Sequence, residues 1–86
     1  MNDISTIVYR IISETLGTPL SELRGDLAIR SIPNVESIKI LNVILKVEKV
    51  LEIEIPDEAT FNLETVGQFD QLVQDLYTRR TEVPSR

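Results

Sequence analysis

The chain has 86 residues, 42% of them hydrophobic, and a formal net charge of -5. That is room for one small domain, in which roughly 60% of the unfolded chain's surface becomes buried, and its apolar runs, such as Val43-Ile44-Leu45, fall far short of a membrane span. The absence of cysteine and histidine removes disulfides, thiolate nucleophiles and the commonest metal ligand and general base, so no metal site is expected, and the acidic balance argues against nucleic acid as a partner.

Residues 1–8, MNDISTIV, show no basic segment followed by an apolar stretch, so no secretory signal is read and a cytoplasmic location is expected. Ile4, Ile7, Val8, Ile11, Ile12 and Leu16 recur at helical spacing, with Gly17 suited to a C-terminal cap and Pro19 preventing continuation. Residues 17–36 then form a connection too long to be a simple turn. Leu20, Leu23, Leu27, Ile29 and Ile32 predict that it is an ordered loop pinned to the core.

A second helix is predicted over residues 37–52 and is apolar on two faces. At about 100° per residue, Ile40, Val43, Ile44, Val47 and Leu51 form the stripe a bundle core requires. Ile38, Leu41 and Leu45 form another, roughly 140° away. Either the long loop or another helix covers this second stripe, or it is a docking surface. Lys39, Lys46 and Lys49 line one of its flanks, while Glu48 and Glu52 continue the exposed side toward the C-terminal end. Ser37 opens the helix, and the plain expectation is an N-cap; Ile40, not Glu or Gln, stands three residues on, so there is no capping box. A hydroxyl in this place is also one where a phosphoester would meet free backbone N–H groups.

Pro56 and the acids after it predict a short third helix over residues 57–61. Thr65 and Gln68 make a capping box for a last helix whose inner face is Val66, Phe69, Val73 and Leu76 and which ends at Tyr77. Residues 1–77 are thus one domain and residues 78–86 a flexible C-terminal tail. The fold class is all-α, a small four-helix bundle of three longer helices and one short one. Alternation over residues 51–55 is too short, and too close to a proline, to compete as a strand.

Glu36-Ser37-Ile38 opening an amphipathic helix, followed by KVEKVLEIEIPDEATFNLETVGQFDQLV and preceded by a helix and a leucine-pinned loop, resembles the acyl and peptidyl carrier protein family over residues 3–77. The Ile55-Pro56-Asp57 turn and the Thr65-Val66 helix start, at these spacings, are its most specific parts beside the serine.

The resemblance implies that Ser37 carries 4'-phosphopantetheine from coenzyme A, giving a chain without cysteine a thiol on which acyl or aminoacyl groups ride as thioesters. It implies a stand-alone, monomeric carrier, not an enzyme. Its partners would be a phosphopantetheinyl transferase, an acyl-loading ligase or transferase, and a downstream synthase or acyltransferase. The partner-reading surface would comprise Glu36, Ile38, Lys39, Leu41, Leu45, Lys46, Glu48 and Lys49. The family's usual Asp-Ser-Leu is Glu-Ser-Ile here, and lysines stand on a helix that is mostly acidic in fatty-acid carriers, so a dedicated pathway is expected instead of general fatty-acid synthesis. The alternative is a non-covalent helical adaptor using the same stripe, with Ser37 only a cap.

Overall fold

In the computed structural model, which describes residues 3–32, 35–60 and 62–82, four α-helices surround one apolar core. They are α1 (Asp3–Leu16), α2 (Ser37–Leu51), the short α3 (Asp57–Thr60) and α4 (Val66–Glu82), and α1 packs against both α2 and α4. No strand occurs among the described residues; residues 52–56 run extended with Ile53 and Ile55 buried and Glu52 and Glu54 exposed. Val8 of α1, Val47 of α2, and Val66 and Val73 of α4 are fully buried where the long helices meet. Their short, branched side chains are stiff and lose little entropy on packing.

Helices α1 and α2 end in the same way. At the end of α1 the chain turns through Gly17 (φ 72°), and the N–H groups of Gly17 and Thr18 both reach the Ser13 carbonyl, at 2.9 and 3.2 Å. At the end of α2 the left-handed residue is Glu52 (φ 58°, ψ 48°), so that helix stops one residue before the predicted end, and Ile53 returns its N–H to the Glu48 carbonyl at 3.2 Å. A left-handed residue ends a helix while meeting its last carbonyls; glycine does so without the steric cost that a side chain brings.

Between α1 and α2 the connection is built from two 3-10 turns, Leu20–Glu22 and Ile29–Ser31. Leu23 and Ile32 are buried and Leu27 and Ile29 half-buried, as pins should be, but Leu20 is exposed. It lies in the first 3-10 turn, whose residues include none that is buried. The decisive anchor is backbone: the Ile29 N–H donates to the Glu64 carbonyl (2.8 Å), the Val66 N–H to that of Leu27 (2.9 Å) and the Gly67 N–H to that of Gly25 (2.9 Å). With the isolated antiparallel bridge between Ala28 and Thr65, these bonds clamp the connection to the start of α4. Residues 33 and 34 of the connection lie outside the described residues.

The capping box at the start of α4 forms as its spacing requires. The Gln68 N–H donates to Thr65 Oγ1 (3.2 Å), and Gln68 Oε1 accepts the N–H groups of Thr65 (3.1 Å) and Glu64 (2.6 Å). From there α4 continues past Tyr77, where the apolar pattern ends, to Glu82, because hydrogen bonding along a helix already begun needs no apolar partner. Phe61, the predicted last residue of the third helix, lies outside the described residues, as do residues 83–86 of the tail.

Helices α1 and α4 are also joined by a polar contact. Asp70 is buried, and its Oδ2 accepts from Ser5 Oγ (2.7 Å) and Gln74 Nε2 (3.0 Å), while Gln74 Nε2 also donates to Ser5 Oγ (2.9 Å). Burial, and secondarily the charge of Asp70, push the Tyr9 phenol above its usual range.

A Cβ added at Gly67 would lie 2.7 Å from the Gly25 carbonyl oxygen, a backbone atom that cannot step aside without breaking the clamp. Gly67→Ala is expected to cost about 1–3 kcal/mol, lowering the melting temperature by about 4–8 °C for each of these, and to speed amide exchange at Ile29 and Val66 first. Unchanged exchange there would show that the clamp tolerates the side chain.

Candidate functional site

Ser37 is the first residue of α2 and is exposed. It is not the N-cap that the sequence pattern predicts. That place belongs to Glu36, whose backbone is extended (φ -132°, ψ 156°) and whose carbonyl accepts the Ile40 N–H at 3.0 Å, with no capping bond from its side chain. The displacement by one residue matters for the chemistry. A true N-cap oxygen is committed to backbone N–H groups of the first turn, whereas at the first helical position the hydroxyl is not needed for that purpose. It stands beside amide hydrogens that no intrahelical carbonyl can satisfy, where an anionic group attached to it would be stabilised.

The second apolar stripe of α2 is uncovered: Ile38, Leu41 and Leu45 expose 57%, 46% and 51% of their surface. Neither the long connection nor another described helix covers them. On the other side Val43, Val47 and Leu51 are buried, and Ile40 and Ile44 are half-buried and line an apolar cavity that is partly open to solvent. The helix is thus committed to the core along one face and free along the other, with Ser37 at the head of both.

Around the stripe, Glu36, Lys46 and Lys49 are exposed and Lys39 is half-buried. Lys46 Nζ donates to Thr15 Oγ1 of α1 at 3.2 Å, which steadies its stem while leaving its charge intact. Glu48, expected on the exposed side of the helix, also serves the fold. It is half-buried, and its Oε2 accepts the Ile55 N–H at 2.7 Å, holding the chain after α2 in place. On the helical wheel Glu48 falls between the core face and the exposed stripe, a border position from which its carboxylate turns inward.

The cavity is a feature that sequence reasoning does not separate from the core. It has a volume of about 220 Å³ and lies between α1, α2, the second 3-10 turn and the start of α4. Ile12, Ile29, Ile32, Ile40, Ile44 and Leu63 make its wall largely apolar, and Arg30 is the one charged residue among the described lining. An enclosed apolar space of about 150 Å³ suffices for a benzene ring, so this partly open one is large enough for a small hydrocarbon group. A sequence signal for it exists only in hindsight: Ile44 sits at the edge of the core stripe that faces the exposed one, with Ile40 one turn before it.

No family model matches the chain. Over 65 residues, 76% of this chain and 77% of the relative, it is 31% identical to the acyl carrier protein of Acidothermus cellulolyticus.

The two faces of α2 separate cleanly on truncation. Val47→Ala removes fully buried methyl groups and is expected to cost about 2–3 kcal/mol, whereas Leu41→Ala should cost less than about 1 kcal/mol. Denaturant melts of the two variants check this; equal losses would mean that Leu41 is part of the core.

Proposed function

This chain belongs to the acyl carrier protein family, whose members are carriers and not catalysts, and we propose that it holds acyl or aminoacyl groups as thioesters on a 4'-phosphopantetheine arm attached to Ser37. The observation that carries this reading is the placement of Ser37. It is an exposed hydroxyl, released from capping, at the head of a helix whose next residues form an uncovered apolar stripe. The arm, when bound, supplies the thiol that a chain without cysteine lacks.

The roles of the surrounding residues follow from their positions. The first-turn N–H groups of α2 stabilise the phosphate attached to the Ser37 oxygen, and Ile38, Leu41 and Leu45 give partner enzymes a grip close to that attachment point. The apolar cavity behind α2 fits a hydrocarbon cargo, sheltering it from water between encounters. The partners are a phosphopantetheinyl transferase, a loading ligase or transferase, and a downstream synthase or acyltransferase. The carrier works as a cytoplasmic monomer, and the three lysines of α2 favour a dedicated pathway over general fatty-acid synthesis. No helix among the described residues is long and apolar enough to cross a membrane.

Incubation with coenzyme A and a phosphopantetheinyl transferase of broad specificity should add the mass of one phosphopantetheinyl group. Ser37→Ala should abolish the addition while changing stability by no more than about 0.5 kcal/mol, since no cap is lost. Addition that persists at another serine would overturn the assignment, and no addition to the wild type would favour a non-covalent adaptor.

A further inference from the structure

The charge on α2 runs against that of the rest of the molecule. The chain carries a net charge of -5, and residues 50–77 hold seven acids and no base, yet α2 carries Lys39, Lys46 and Lys49 against a single acid, Glu48. That acid is half-buried at the border of the exposed face, with its carboxylate on the Ile55 N–H. On the helical wheel the three lysines fall within about 80° of one another on the Ile38 side of the stripe, Lys49 next to Ile38 and Lys46 and Lys39 about 80–100° round from it. Acids return only at the two ends, with Glu36 before the helix and Glu52 after it. Along its working length the exposed face of α2 is therefore an apolar ridge with a basic bank.

We propose that the enzyme partner of this carrier grips α2 with an apolar recess bordered by carboxylates, which face Lys39, Lys46 and Lys49 while Ile38, Leu41 and Leu45 fill the recess. The proposal rests on the reading of Ser37 as the modified serine and adds the chemistry of the surface that reads it. Near 0.1 M salt, charges more than about 10 Å apart are largely screened from one another, so the local bank and not the acidic remainder of the domain governs docking. A basic rim would face the lysines at short range and be rejected; an acidic rim is steered in and oriented. Complementary fields of this kind raise association rates by about 10- to 1000-fold.

The test uses the protein carrying its arm, with loading confirmed by intact mass so that failure of the Ser37 assignment is seen separately and first. The probe is an acyltransferase of fatty-acid synthesis whose carrier-docking patch is basic, together with a version of it in which that patch is changed to glutamates. At about 0.1 M salt the glutamate version should load the wild-type carrier at least about tenfold faster than its parent. The Lys39→Glu, Lys46→Glu, Lys49→Glu carrier should reverse that order, and near 1 M salt the preference should shrink to less than about twofold. The single change Lys39→Glu, close to the helix N-terminus where an acid is tolerated, should shift the ratio in the same direction and guards against a folding defect in the triple variant. Equal rates with both enzymes, the same order for both carriers, or loading by neither enzyme overturns the proposal.

Discussion

Three backbone hydrogen bonds between residues 25–29 and residues 64–67 position nearly everything on the functional side of this domain. Without them the connection between α1 and α2 would be a long loop held only by side chains. With them its second half is fastened to the start of α4, which is itself fixed by the Thr65–Gln68 capping box. Ile29 and Ile32 are thereby set as one wall of the apolar cavity. The clamp demands that two backbones come unusually close, and the glycine at 67 is what allows it.

The economy of a small domain explains the double character of α2. A chain of this size has few helices with which to build a core and must present its working surface from the same elements. Helix α2 resolves this by angular division, with Val43, Val47, Ile40 and Ile44 turned inward and Ile38, Leu41, Leu45 and Val50 left in water. The cost of that exposure is offset by the fully buried valines shared among α1, α2 and α4. Glu48 sits on the boundary between the two faces and serves the fold, tying down the segment that leads to α3.

Much of this is legible in the residues alone, and the divide has a physical origin. Helices α1, α2 and α4 announce themselves because burial of one face imposes a period of 3.6 on the apolar residues, and Gly17 and the Thr65–Gln68 pair mark ends through side-chain chemistry. The clamp is not legible, since backbone groups look alike at every position and the glycine at 67 discloses a close approach only once the backbone at residue 25 is known to be its neighbour. Leu20 shows that an apolar residue in a loop is not necessarily a pin, and the run of α4 to Glu82 shows that a helix outlasts its apolar pattern. At the candidate site the stripe and the lysines can be read from angles on a wheel. The shift of the cap from Ser37 to Glu36 and the inward turn of Glu48 depend on single torsions that no periodicity encodes.

The buried contact among Ser5, Asp70 and Gln74 acts as an alignment key between α1 and α4. Valine against valine is a forgiving match, and a bundle held by such contacts alone could slide one helix along another by a turn, about 5.4 Å, and still find apolar partners. Asp70 forbids the slip. Its Oδ1 is already buried with no hydrogen-bond partner among the described residues, so its carboxylate depends on the donors that meet Oδ2. A one-turn shift of α1 would carry the Ser5 hydroxyl away and deepen the desolvation of that charge by about 1–3 kcal/mol or more. That penalty fixes the register in which α1 meets α4 more sharply than apolar packing alone would.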